Sequence, residues 1–134
     1  MSRTKLPTKA EKKRIKNYAT NVHELIFWAH LWMHSQGENV YIAGKVTGLD
    51  YEVVRDKFDG CANKLELRGY VAINPCDFVA PEIPWKSAMR LCIAALSQAD
   101  YIWLLPDWEN SKGARIEKEL AEKMGIKILN PMLP

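Results

Sequence analysis

Ser111, Gly113 and Glu117 make the spacing in this chain that could do chemistry. They follow residues 101–105, Tyr-Ile-Trp-Leu-Leu, a short continuous apolar run of the kind that a strand buried on both faces presents. Asn110 or Ser111 can cap a helix that starts there, Gly113 and Ala114 leave its first turn uncluttered, and Glu117 falls about one turn inside. Backbone N–H groups of such a first turn, around Lys112 to Ala114, attract an anion. A carboxylate just beyond them can stay ionised and serve as a nucleophile or a charge stabiliser. Strand, polar turn and helix in this order are how an open α/β sheet builds a ligand site at the carboxyl ends of its strands.

Four stretches carry a resemblance. One is Val40-Tyr41-Ile42-Ala43-Gly44, followed by Thr47-Gly48 and Asp50. The others are Gly69-Tyr70-Val71-Ala72-Ile73-Asn74-Pro75, residues 85–100 with Met89-Arg90 inside them, and Ser111, Gly113 and Glu117 themselves. In this order and spacing they resemble the small phage and bacterial branch of the nucleoside 2-deoxyribosyltransferase superfamily, over about residues 39–129. That resemblance implies a nucleoside 5′-monophosphate N-glycosidase or a deoxyribosyltransferase, with Glu117 as nucleophile and no metal or organic cofactor. An N-glycosidic bond breaks through an oxocarbenium-like state, so such a site needs a carboxylate near the anomeric carbon and an acid for the departing base.

The resemblance further implies that Tyr41 hydrogen-bonds the catalytic carboxylate and that Ser111 meets a 5′-phosphate. Lys45, Thr47 and Gly113 would complete a phosphate cradle. Gly44 lies in the same turn, Asn74 and Trp85 could contact ribose or stack on a base, and Arg90 could meet the phosphate or an acidic neighbour. Plainer roles fit the same letters: a core tyrosine, a capping serine, an exposed lysine, a helix-anchoring tryptophan. Cys92 stands where the superfamily's enzymes carry the acid, and a neutral thiol replaces a carboxylic acid poorly. Asp107 and Asp77 are then the candidate proton donors; the alternative is a nucleotide-binding or sensing module that has lost turnover with its acid.

The elements that must position these residues alternate along the chain. Residues 39–44 read as a first strand, and Asp50 caps a helix over 51–67 with Val53, Val54, Phe58, Cys61, Ala62 and Leu65 facing the sheet. Residues 70–73 form a second strand, Asn74-Pro75 breaks it, and a Pro-interrupted loop leads to a helix over 85–98. After the central strand, Gly125 stops the helix that follows it, and residues 126–129 form a last strand. Strands alternating with helices imply an α/β fold, a doubly wound, Rossmann-like or flavodoxin-like parallel sheet of four to five strands.

Residues 1–37 stand apart from that core. Thr8 and Glu11 make a capping-box pattern, and apolar residues then recur at steps of three and four from Ile15 to Met33, which predicts one amphipathic helix over 9–36 with Trp28 and Trp32 nearby. Its stripe must be covered by the domain or by a second subunit, the latter favoured because the helix adds nothing to the sheet, and the resemblance implies a homo-oligomer. His23, His30 and His34 fall near one face, but no set of Cys or carboxylate ligands accompanies them, so no metal is expected. Residues 1–20 carry seven Lys or Arg against one acid, a balance of +6 in a chain whose net charge is +3. Such an arm could touch nucleic acid, though a solvated helix face explains it more simply.

At 134 residues, 48% hydrophobic and 26% charged, the chain can bury one core. The sequence holds no apolar run long enough for a membrane span, and the basic start is not followed by a signal core. Three widely spaced cysteines, Cys61, Cys76 and Cys92, suit free thiols in a reducing cytoplasm better than a disulfide framework.

Overall fold

The computed structural model describes Lys9 and residues 38–130. The expected amphipathic helix, its capping box, Trp28, Trp32 and the three histidines lie outside the described residues, Lys9 apart.

Among the described residues the chain runs β1 (Asn39–Ala43), α1 (Tyr51–Leu67), β2 (Val71–Ile73), α2 (Trp85–Leu96), β3 (Tyr101–Leu104), α3 (Lys112–Lys123) and β4 (Lys127–Ile128). Short 3-10 turns at Pro75–Asp77 and Trp108–Asn110 precede α2 and α3. The sheet is four-stranded and parallel throughout, in the order β2-β1-β3-β4. Its two central strands are the apolar runs of the sequence, with Tyr41 opposite Ile102 and Ala43 opposite Leu104. The fold is therefore α/β and doubly wound, in the strand order of flavodoxin-like sheets. Each strand return needs a crossover, and the helices supply it.

Local chemistry sets where each helix begins and ends. Asp50 caps α1 by accepting the Glu52 N–H at 3.0 Å, and Ser111 caps α3 by accepting the Ala114 N–H at 3.1 Å. Gly69 (φ 88°) and Gly125 (φ 77°) take the left-handed conformation just past α1 and α3, where a side chain would be strained. Helix α2 ends at Leu96, two residues before the expected end, because its C-terminal turn tightens: Ala99 N–H reaches Leu96 C=O at 2.9 Å.

Alternation along β1 divides the packing. Val40 and Ile42 join Val54, Phe58, Cys61, Ala62 and Leu65 of α1 in a core on one face. Tyr41 points to the other face, where α3 packs on β1 and β3 and α2 packs on α3. At the amino end of the sheet, Asp100 accepts the Asn39 N–H at 2.8 Å. At the far edge, the Asn130 amide bonds both Leu104 N–H and Leu104 C=O at 2.7 Å, so a side chain continues the ladder beside β3. No helix among the described residues is long and apolar enough to cross a membrane.

Candidate active site

Between β1 and β3 the strand order reverses, because the chain winds outward to β2 and then returns past β1 to β3 and β4. Open α/β sheets bind ligands in the crevice outside their strands' carboxyl ends at such a point. Here the crevice is a cavity of about 420 Å³, a size typical of small-molecule pockets. The end of β1, the loop that follows it, the start of α1, the Pro-interrupted loop, α2 and the first turns of α3 all border it.

Gly44 lets β1 and the chain beyond β3 meet closely. Leu105 N–H bonds Ala43 C=O at 2.8 Å, and a Cβ on Gly44 would stand 2.6 Å from Leu105 Cδ1 and 2.9 Å from its Cβ. The following turn is closed by Leu49 N–H to Val46 C=O at 3.2 Å, with Gly48 at φ 85°. A positive φ at this position needs glycine, and it turns the Thr47 segment across the cavity mouth.

Deep in the cavity lies Glu117, 5% exposed on α3. Tyr41, fully buried on β1, donates its hydroxyl hydrogen to Glu117 Oε2 at 2.6 Å. The other oxygen, Oε1, takes no hydrogen bond from the described residues. Burial pushes the Glu117 carboxyl up to about 7, with the Tyr41 hydrogen bond offsetting part of the rise. Tyr41 itself is raised well above its ordinary value, first by burial and then by the neighbouring Glu117 charge, so it remains a neutral donor. Cys92 lines the same cavity beside Tyr41, and burial pushes its thiol up to about 11. The centre is thus one carboxyl with a raised pKa, a phenol and a neutral thiol.

The mouth is polar where α3 begins. Ser111 Oγ accepts from Ala114, which leaves its hydrogen free to donate, while Arg115 N–H is taken by Ser111 C=O at 3.0 Å. The Lys112 and Gly113 N–H groups head the helix, where no preceding turn supplies acceptors. Gly113 is also a close approach: a Cβ there would stand 3.0 Å from Met89 Sδ on α2. Lys112 Nζ sits 4.8 Å from the Trp85 ring centroid.

The cavity thus brings together Tyr41, Gly44, Thr47, Trp85, Cys92, Ser111, Gly113 and Glu117. Five other candidates stand elsewhere. Asn74 is 4% exposed and spends its side chain on the fold, donating to Asp59 at 2.8 Å and accepting from Cys76 N–H at 3.0 Å. Arg90 is exposed on α2, outside the cavity lining. The Lys45 side chain does not line it either; the backbone of Lys45 is clamped, its N–H by Asp107 at 3.0 Å and its C=O by Lys57 at 2.7 Å.

Asp107 also differs from the proton donor it could have been. Its Oδ2 pairs with Lys57 at 2.5 Å. Burial works to raise its pKa, but the Lys57 and Lys45 contacts outweigh burial and hold the carboxyl below its ordinary value. A carboxyl kept ionised at neutral pH has no proton to give. Asp77, the other candidate, is drawn into an ion pair with Arg55 at 2.9 Å. Sequence reading also left out Tyr51, Ile83 and Lys57; the first two line the cavity and the third ties its first loop to Asp107 from 50 positions away, with no local signal to mark it. Among the described residues no cluster of three or more His, Cys, Asp or Glu could hold a metal ion.

Residues 38–130 match the family described as Domain of unknown function (DUF4406). The chain belongs to this family. No curated protein matches it, and no solved structure does. The DUF4406 region holds every described strand of the sheet and every described residue that lines the cavity.

Proposed function

We propose that this DUF4406 protein cleaves the N-glycosidic bond of a nucleoside 5′-monophosphate, with Glu117 as nucleophile. The observation that carries this reading is the buried Glu117 carboxyl, held by Tyr41 at 2.6 Å in a cavity whose mouth is the N-terminus of the same helix. One helix then offers both an anion site and a nucleophile, about a sugar's length apart along α3.

In the first step the uncommitted Glu117 oxygen bonds to the anomeric carbon as the bond to the base breaks, its electron pair leaving with the base. The Tyr41 hydrogen bond holds the carboxylate in place and favours its ionised form. Water then attacks the same carbon and releases Glu117; a second base taking the place of water would make the protein a transferase. Meanwhile the phosphate is held by the Ser111 hydroxyl, Thr47 and the Lys112 and Gly113 N–H groups. A nucleotide-binding module without turnover is the second reading, favoured by the neutral Cys92 thiol where an acid would stand.

The test is a panel of ribo- and deoxyribonucleoside 5′-monophosphates with neutral and with cationic bases, followed by chromatography of free base. Release is expected, with a loss of at least about 10³-fold in Glu117→Ala. No release from any member, or release unchanged in Glu117→Ala, overturns the reading; tight binding without release selects the second one.

A further inference from the structure

The lining of the cavity has a character that a neutral sugar and base do not explain. The cavity that holds Glu117 has aromatic and aliphatic walls, with Phe58 buried, Ile83 and Met89 half-buried, and Tyr51, Trp85 and Leu49 partly exposed. Among the described residues that line it, Glu117 is the one carboxyl, and its Oε1 faces no protein donor. A buried carboxylate in an apolar wall is unstable until a positive charge joins it. Aromatic faces attract that same charge, and Trp85 already takes one, the Lys112 ammonium at 4.8 Å. The mouth, by contrast, is built for an anion. The site is thus negative within, aromatic along its walls and positive where α3 begins.

We propose that the cavity selects nucleotides whose base is a cation conjugated with the glycosidic nitrogen, such as an N-alkylpyridinium or an N7-alkylated purine, and releases that base as a neutral molecule. This rests on the N-glycosidase reading and names its substrate class. Such a ligand matches the cavity at both ends, its phosphate at the start of α3 and its positive ring beside Glu117.

The chemistry follows from the same groups. When Glu117 bonds to the anomeric carbon, the electron pair of the breaking C–N bond neutralises the ring's charge, and the base leaves with no proton supplied. Water then bonds to that carbon, the Glu117 ester bond breaks and one proton passes to solvent, so each turnover releases one proton. A neutral base would leave as an anion unless protonated. One carboxyl cannot hold a proton for the base and be an anion for the sugar in one transition state. Cys92 and Tyr41 hold their protons too tightly to serve, and Asp107 and Asp77 are committed to Lys57 and Arg55. The incoming cation also favours the ionised form of Glu117, which readies the nucleophile only when the right ligand is bound.

The test compares kcat/KM for 7-methylguanosine 5′-monophosphate with guanosine 5′-monophosphate, and for nicotinamide mononucleotide with uridine 5′-monophosphate, using the full chain. The cationic member of each pair is expected to be cleaved at least about 10²-fold faster, the scale of a missing proton donor. Cys92→Asp should narrow that ratio by raising the neutral member. Equal or faster cleavage of the neutral members overturns this inference and leaves the glycosidase reading standing; no cleavage of any overturns both. A binding measurement serves independently of turnover. By calorimetry 1-methylnicotinamide should bind about tenfold tighter than nicotinamide, and Glu117→Gln should abolish the difference; equal affinities, or a preference that survives Glu117→Gln, overturn it.

Discussion

Replacing Glu117 with glutamine should stabilise the protein in mildly alkaline solution and do much less in mild acid. The carboxyl has an ordinary value of 4.5 and a native value of about 7, raised by burial. The folded chain therefore keeps its proton through a range where the unfolded chain has lost it. Stability from this proton is fully present below 4.5 and is lost as pH rises through about 7. At about 1.4 kcal/mol for each tenfold change in proton affinity, ionising Glu117 costs the fold roughly 3 kcal/mol. Tyr41 and Cys92, the titratable groups that face it, stay neutral throughout this window, and Asp107 titrates below it. Glutamine keeps the shape and can still accept from Tyr41, but it never ionises. Urea or thermal unfolding at pH 5 and pH 8 should show the gap between Glu117→Gln and the parent widening by roughly 2 to 3 kcal/mol, or about 10 °C in Tm. A gap that stays constant, or a variant that loses ground as pH rises, would refute the picture of a buried carboxyl without a cation and place Glu117 with ordinary surface carboxylates.

Three further outcomes follow from particular contacts. Tyr41→Phe removes the hydrogen bond that holds the Glu117 pKa down, so a ¹³C carboxyl titration should show the residue ionising at higher pH than in the parent. Ser111→Ala loses the α3 cap and should cost about 1 kcal/mol in urea unfolding; it should also weaken binding of a nucleoside monophosphate more than of the matching nucleoside. Gly44→Ala forces the Leu105 side chain aside and should destabilise by about 1 to 3 kcal/mol, with an intact fold by circular dichroism at low temperature.

The sequence makes the order of elements readable because each carries its own local signal. The runs through Tyr41 and Ile102 are apolar on both faces, Asp50 and Ser111 cap, and Gly69 and Gly125 stop. The pair Tyr41 and Glu117 carries no such local signal; its meeting is implied by the resemblance alone, and it follows once β1 and α3 take their places. What was not readable depends on side chains that meet across the fold. Nothing near Asp107 announces Lys57, 50 positions earlier, yet that contact turns a candidate proton donor into a loop clamp. Asn74 carries the letter of a ligand-binding residue, and only its bonds to Asp59 and Cys76 assign it to the fold. Arg90 falls on the exposed side of α2, which a helix of small and apolar residues leaves undecided until it is packed.

The Asn130 amide that lies along Leu104 has a chemical consequence. Asparagine ages by attack of the next residue's backbone nitrogen on the side-chain carbonyl, which ends in aspartate or isoaspartate. At this position a carboxylate could still accept from Leu104 N–H, but it would turn an oxygen towards Leu104 C=O and repel it. Pro131 comes next in the chain, and a proline nitrogen carries no hydrogen to give up in that cyclisation. The clasp beside the central strand is therefore guarded by its neighbour against slow deamidation, as Asn74 is by Pro75, and that edge of the sheet should outlast the asparagines that no proline follows in old protein.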